Sequence, residues 1–324
     1  MIRVRAQSPT CLCLERSERN DKNMINKSQC DINNLAIQMI EQDLNQALEL
    51  FQYNVKENAS FLSYVNYGVF LTEFGSDILE YIEKPYKEAE HYLLLAQKQN
   101  SCFGVAVALG ELYLKEEKYN MAVLCFKDAS DFRETYILHN NMAVAYYHLG
   151  QYDLAYIHFL RASLLCDDNA EIAYIYESLA FTAVLCDKLS EAGCFFEFLK
   201  MQKDYDVNLD SIALAFLCKD YEYILNNIEN LINNWVLDYK TMLILAQTLY
   251  ITRDKKSSDM FIEYLDNLEQ AEYYEKVIDK DTLFNTVEFG YIINGVNFLP
   301  KHIFVCCFIG CKKHGSESNV FVEC

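Results

Sequence analysis

Turn-forming residues are scarce in this sequence, which has only 3 Pro and 10 Gly among its 324 residues. A protein with many β-strands needs such residues at most of its strand ends, so their shortage disfavours a many-stranded fold. Aromatic residues, by contrast, are abundant, with 24 Tyr and 20 Phe. Helices joined by short loops fit this composition best.

Long apolar runs are also missing. The longest candidate, HIFVCCFIGC from His302 to Cys311, has about half of the roughly 18 residues that a membrane helix needs. No apolar segment follows a charged N-terminus as in a signal peptide. The 13 cysteines are irregularly spaced, and an odd number cannot pair completely. We therefore expect a soluble, cytoplasmic protein with reduced thiols and no membrane partner.

Basic residues are few, since 28 Lys and Arg face 47 Asp and Glu, for a net charge of −19. Residues 1–27 contain six basic and three acidic side chains, which leaves 22 basic and 44 acidic residues, a net charge of −22, for the rest. Such a body repels phosphate backbones, so nucleic acid is not an expected partner and basic partners are favoured. Residues 1–30 are predicted to form a flexible basic tail, although Met24 could equally be the natural start.

The stretch MAVAYYHLGQYDLAYIHFLRASLLCDDN, from Met142 to Asn169, predicts two antiparallel helices. The first helix (A) carries Met142, Ala143 and Tyr146 on one face, and the second (B) has a similar stripe through Ala155 and Phe159, both with helical spacing. Gly150 lies between them, where a left-handed residue that ends helix A is least costly without a Cβ.

The same hairpin recurs along the chain. In each copy a small residue of helix A is followed twelve positions later by a small residue of helix B, in the pairs Gly110 and Ala122, Ala143 and Ala155, Ala180 and Ala192, and Ala246 and Ser258. An aromatic residue comes four positions after the second member in three copies, at Phe126, Phe159 and Phe196. With Ile224 in a degenerate copy, the second members are 33, 37, 32 and 34 residues apart. Small residues permit the close approach of two helices.

This pattern resembles the tetratricopeptide repeat family, over about Leu35 to Glu269. The sequence departs from the family at two positions: it has His139 where the family has tryptophan, and Asp167 where the family has proline. Around Gly68 and Ala89 the spacing is twenty-one residues, with Pro85 as a predicted first residue of helix B; this longer linker resembles Sel1-like repeats. The resemblance implies an all-α fold over residues 31–280, a right-handed superhelix of antiparallel helix pairs with a concave face.

In this family the A helices line the concave face and bind proteins or peptides. The residues that match its lining positions are Glu111, Lys115, Val144, Tyr147, His148, Glu177, Phe181, Gln247 and Tyr250. Only Lys115 and Asn141 partly match the basic clamp with which chaperone-binding members hold a terminal carboxylate, so that role is disfavoured. Mixed aromatic and polar residues suit an extended peptide or a helix.

Residues 281–324 depart from the repeat pattern and are predicted to form a short capping segment of uncertain structure. Its Cys306, Cys307, Cys311 and His314 are candidate zinc ligands. However, adjacent cysteines point apart, which makes packed thiols the competing interpretation. A nucleophilic cysteine with His302 or His314 would need an orienting residue and an oxyanion site that are not recognisable.

The sequence therefore predicts a non-catalytic scaffold that binds a protein or peptide in a helical-repeat groove and uses no cofactor. Glycine-rich phosphate loops, the metalloprotease helix motif and the nucleophile elbow are all absent from the sequence. The main alternative is a peptide-sensing regulator that acts on a protein target. A third is a metal- or thiol-dependent activity in the C-terminal segment.

Overall fold

The computed structural model describes residues 29–167, 169–202, 205, 207–235, 237–270, 298–301, 303 and 307–309. In these residues the regular structure is α-helical apart from one 3₁₀ turn, Gly75–Ile78, and no strand is present. The predicted all-α fold of tandem helix pairs is thus confirmed. Most of the predicted tail and the boundary near residue 280 lie outside the described residues.

The described helices divide into two compact units. Unit 1 contains residues up to Glu134 together with 307–309. Its six helices are α1 Gln29–Met39, α2 Leu44–Glu57, α3 Phe61–Phe74, α4 Pro85–Gln99, α5 Phe103–Lys115 and α6 Tyr119–Ser130. Successive helices pack in pairs, and the A helices α3 and α5 also contact each other.

Unit 2 contains the described residues from Thr135 to Ile303. Its helices are α7 Tyr136–His148, α8 Tyr152–Leu165, α9 Asn169–Leu185, α10 Leu189–Lys200, α11 Leu209–Leu217, α12 Tyr221–Asn234, α13 Tyr239–Thr252 and α14 Lys255–Gln270. They again form consecutive pairs, and the A helix α11 contacts the A helices α9 and α13. The odd-numbered helices are therefore the A helices of the predicted hairpins in both units.

A left-handed residue ends helix A in five hairpins. Gly150 has a φ of +70°, as expected from the sequence, and the other four positions hold Glu117, Asp187, Lys219 and Arg253, with φ between +58° and +62°. These residues are 33, 37, 32 and 34 positions apart, the same intervals as the paired positions of the B helices, Ile224 included. In the first four hairpins the next N–H donates to a carbonyl five residues back, such as Gln151 N to Tyr146 O at 2.9 Å, which is the Schellman arrangement.

Close helix contact explains the small residues at the paired positions. A Cβ added to Gly110 would lie 2.3 Å from the ring of Phe126, and one added to Gly68 would lie 2.6 Å from Leu93. The three predicted aromatic residues of the B helices are at most 1% exposed. Pro85 is the first residue of α4, as predicted. The small and aromatic positions therefore form the core of each hairpin.

Candidate functional site

In unit 2 the segment of residues 298–303, of which residue 302 lies outside the described residues, contacts side chains of the A helices. The carboxamide of Asn141, on α7, contacts both backbone groups of Ile303. Its Nδ2 donates to the Ile303 carbonyl at 2.8 Å, and its Oδ1 accepts from the Ile303 N–H at 2.8 Å. Asn141 is fully buried. This paired contact holds the backbone of a residue whatever its side chain is.

Asn140 and Tyr147, which also lie on α7, contact other carbonyls of the same segment. Asn140 Nδ2 donates to the Lys301 carbonyl at 3.1 Å and to Asn141 Oδ1 at 3.2 Å. The Tyr147 hydroxyl donates to the Phe298 carbonyl at 2.8 Å. Burial raises the pKa of Tyr147 to about 12, so its hydroxyl remains a donor at neutral pH. Three A-helix side chains thus hold three carbonyls and one N–H of residues 298–303.

The side chains of residues 298–303 make distinct contacts. The rings of Phe298 and Phe181 stack with centroids 4.1 Å apart and planes 13° from parallel. Ile303 packs in a small apolar cluster with Ala162 and Ile175. Pro300 is buried, whereas Leu299 is 67% exposed. The segment therefore places an aromatic and a branched apolar side chain into unit 2 and leaves Leu299 in solvent.

Lys301 lies near an aromatic ring of unit 2 and interacts electrostatically with two of its carboxyl groups. Its Nζ is 5.2 Å from the ring centroid of Tyr174. Burial and the nearby charge of Asp210 raise the pKa of Glu177 to about 7, although a hydrogen bond from the Tyr205 hydroxyl and the charge of Lys301 both lower it. The pKa of Asp210 is also raised, chiefly by burial, and Lys301 again opposes the increase. These carboxyl groups form a partly desolvated acidic site that a cation stabilises.

Unit 1 contains an equivalent contact with Ile309. Asn66 Nδ2 donates to the Ile309 carbonyl at 2.9 Å, and Asn66 Oδ1 accepts from the Ile309 N–H at 2.7 Å. Asn33 Nδ2 donates to the same carbonyl at 3.0 Å, and the two carboxamides are joined at 2.7 Å. The neighbouring Phe308 ring stacks on Phe51 at 6.1 Å. Unit 1 thus holds a backbone in the same way as unit 2.

Three of the contacting asparagines, Asn33, Asn66 and Asn141, occupy one position of the repeat. Asn66 and Asn141 each lie two residues before the small residue of their A helix, Gly68 or Ala143. Asn33 occupies the same place in the first hairpin, fourteen residues before the buried Ala47. Sequence reasoning assigned no such role to Asn33, Asn66 or Asn141. The sequence feature that could have revealed this role is an asparagine that recurs at one repeat position inside otherwise apolar helices.

The structure places the predicted concave-face residues in three kinds of environment. Tyr147, Glu177 and Phe181 lie together around residues 298–303. Glu111, Val144 and Gln247 are buried in the helix packing. Lys115 is partly buried, and its Nζ lies 3.1 Å from Glu73 Oε2. His148 and Tyr250 are exposed, and Arg253 lies 4.2 Å from the Tyr250 ring. The binding role of each of these residues remains a prediction.

The predicted zinc ligands are only partly described. Cys307 is fully buried, whereas Cys306, Cys311 and His314 lie outside the described residues. Among the residues that can be described, no cluster of three His, Cys, Asp or Glu side chains could hold a metal ion. Cys102 is disulfide-bonded, which corrects the expectation that all thiols are reduced. Among the described cysteines, Cys125, Cys186, Cys194 and Cys218 are free thiols.

Unit 1 also contains a cavity of about 450 Å³ between α2, α3 and α4. Its lining includes three tyrosines, of which Tyr64 and Tyr67 both pack on Tyr92, with centroids 5.8 Å and 5.1 Å away. The Tyr67 hydroxyl donates to Glu88 Oε1 at 3.0 Å. Its lining shares no residue with the contacts around Ile309.

Across the described part of the chain, no helix is long and apolar enough to cross a membrane.

The described chain is thus a helical-repeat protein whose A helices hold backbone segments through asparagine side chains. No family model matches it, and no curated protein matches its sequence. A tetratricopeptide repeat protein from Parabacteroides merdae superposes with a TM-score of 0.50 at 14% identity, over 80% of this chain and 96% of that chain. Pseudomonas aeruginosa PilF gives 0.49 at 16% identity, over 70% of this chain and 98% of that chain. The Parabacteroides structure shows that the fold is of the tetratricopeptide-repeat type.

Proposed function

We propose that this protein is a non-catalytic scaffold that binds an extended protein or peptide segment on the side chains of its A helices. The observation that carries the proposal is the paired contact of Asn141 with both backbone groups of Ile303. A carboxamide that bonds the N–H and the carbonyl of one residue substitutes for a neighbouring β-strand, because hydrogen-bonded antiparallel residues exchange the same two bonds. An extended polypeptide is the ligand with that chemistry.

Repetition of this contact supports the proposal. Asn66 makes the same pair of hydrogen bonds with Ile309 from the same repeat position. Buried amide groups normally have partners because an unpaired one costs about 1–3 kcal/mol. Asparagines at these positions therefore require a polypeptide, or another group with the same donors and acceptors, against them.

The chemistry of the partner follows from the charge of the chain. A net charge of −19 and the partly buried carboxyl groups of Glu177 and Asp210 favour a basic segment over nucleic acid or an acidic lipid surface. We also propose that the hairpin around Gly68 is of the Sel1-like type and that the protein is cytoplasmic.

A second candidate function is a peptide-sensing regulator that acts on a protein target. It is favoured by the position of residues 298–303, because a segment of the chain itself occupies the asparagine contacts. A short peptide that replaces this segment would alter the C-terminal region of the protein. Such a peptide would raise the melting temperature strongly, since a ligand that binds only the folded state stabilises it by mass action.

The test is selection from a library of decapeptides on the full-length chain carrying Phe298→Ala and Lys301→Ala, called here the vacated variant. Selected peptides should bind it at least about tenfold more tightly than the same variant that also carries Asn141→Leu, since a difference of 1.4 kcal/mol is tenfold. Leu164→Ala is the control, because Leu164, on the B helix α8, is 72% exposed and has no assigned role in binding. Failure to select any peptide, or equal affinity with Asn141→Leu in a protein of unchanged helicity, would contradict the proposal.

A further inference from the structure

We infer that the unit 2 site selects an extended peptide with an aromatic residue three positions before a lysine or arginine, and that residues 298–303 compete internally with such a peptide. This inference rests on the proposed function and specifies its partner. The contacts in unit 2 are of two kinds. Those of Asn140, Asn141 and Tyr147 hold backbone and tolerate any sequence, whereas those of Phe298 and Lys301 involve side chains and can discriminate.

The aromatic position is defined by Phe181. Phe298 stacks on its ring at 4.1 Å, is only 5% exposed, and belongs to the main apolar cluster of unit 2. Its carbonyl is fixed at the same time by the Tyr147 hydroxyl. A stacked ring pair contributes beyond the buried area alone. An aliphatic residue at this position would lose the stacking, so the site prefers Phe, Tyr or Trp.

The basic position is defined by the groups around Lys301. Tyr174 presents its ring to the ammonium group, and Glu177 and Asp210 are carboxyl groups whose pKa values Lys301 lowers. Asp238 adds a further negative charge near Asp210. Carboxylates that share a desolvated site repel each other, and a cation relieves that repulsion. An acidic side chain at this position would increase it.

The spacing comes from the segment itself. Phe298 and Lys301 are separated by Leu299, which is 67% exposed, and by Pro300, which is buried. The residue after the aromatic one can therefore vary freely. Two positions after the lysine, Ile303 receives the paired contact from Asn141. The recognised pattern is thus an aromatic residue, any residue, proline or another apolar residue, a basic residue and, two positions later, a branched apolar residue.

Competition follows because the segment is covalently attached to the site. A tethered ligand binds intramolecularly, so an external peptide must compete with the effective concentration of the attached segment. An external peptide binds only the fraction of molecules in which the site is open, so its apparent dissociation constant is raised by that fraction. Weakening the internal segment should therefore strengthen binding of an external peptide of the same sequence.

The experiment measures fluorescence anisotropy of a labelled peptide, VNFLPKHIFV, which copies residues 296–305, on the full-length chain. The vacated variant should bind it at least about tenfold more tightly than the wild type. Lys301→Glu alone should also tighten binding, and this exposed position does not threaten the fold. Leu299→Ala is the matched control in the same segment and should leave the affinity unchanged.

Specificity is tested with a second peptide in which the lysine is replaced by glutamate. It should bind the vacated variant at least about tenfold more weakly, because it places a third carboxylate beside Glu177 and Asp210. Equal affinity for the two peptides, or no gain in the vacated variant, would overturn the inference. If library peptides of another pattern bind through Asn141 while VNFLPKHIFV does not, the inference fails and the scaffold function stands. If no peptide binds, both fail.

Discussion

Replacing Asn141 by leucine should release residues 298–303 while leaving the helices of unit 2 folded. Leucine has a similar volume, but it can neither donate to the Ile303 carbonyl nor accept from its N–H. Both bonds are 2.8 Å long, and Ile303 is only 9% exposed. If the segment stayed in place, two buried backbone groups would lose their partner.

The magnitude follows from these two groups. An unpaired buried donor or acceptor costs about 1–3 kcal/mol. Because the segment can leave the site and regain water, the loss should lie near the lower part of the summed range, at about 2–4 kcal/mol in the free energy of opening. Each 1.4 kcal/mol is a factor of ten in the open population. Amide exchange in residues 298–303 should therefore accelerate by about thirtyfold or more.

Hydrogen–deuterium exchange followed by mass spectrometry on the full chain measures this directly. Asn227→Leu is the matched control, since Asn227 lies on α12 and its Nδ2 bonds the Tyr223 carbonyl of its own helix. It should leave the exchange of residues 298–303 at the wild-type rate. If Asn141→Leu gives the same exchange as the control in this segment, the carboxamide does not hold the backbone and the assignment of the site is wrong.

Four further substitutions test the fold and the acidic site. Asp187→Gly should raise the free energy of unfolding by up to about 1 kcal/mol, because a left-handed conformation is costly for a residue with a Cβ, whereas Gly150→Ala should lower it by about as much; urea denaturation measures both. Gly110→Ala should destabilise by about 1–3 kcal/mol in the same assay, because the added methyl overlaps the Phe126 ring. Glu177 has a pKa raised to about 7, so the folded state binds its proton more tightly than the unfolded state and its contribution to stability falls as pH rises from about 4.5 to 7. Glu177→Gln should therefore be more stable than the wild type by about 1–3 kcal/mol at pH 8 and nearly equal to it at pH 4.5; an equal difference at both pH values would refute the assignment.

Much of the repeat fold could be predicted because its determinants are local. Gly150 and the pair Ala143 and Ala155 belong to one hairpin, so spacing along the chain is enough to reveal them. Gly110 is equally visible, and the structure confirms its close contact with Phe126. The left-handed residues Asp187 and Lys219 were not predictable in this way. A polar residue with positive φ has no compositional signature, and only the regular interval from Gly150 points to these positions.

The site was harder to predict because its contacts are remote in sequence. Phe181, Tyr147 and Glu177 were proposed from their places on the A helices, but Asn141 was considered only as a weak match to a carboxylate clamp. Its partner Ile303 is 162 residues away. Nothing in the pattern of a helix identifies the segment that it contacts, and a buried asparagine looks like a packing exception until its partner is known.

The recurrence of asparagine at one repeat position has a simple physical reason. A residue two positions before the small residue of helix A lies in a buried stretch, and a polar group there must be paired. Leucine or alanine would pack without any partner, as Ala108 does at the same position of α5. Asn66 and Asn141 give up that apolar packing and gain a paired contact with the N–H and carbonyl of a backbone residue. At Asn66 and Asn141 the departure from apolar packing therefore coincides with a contact to a backbone segment.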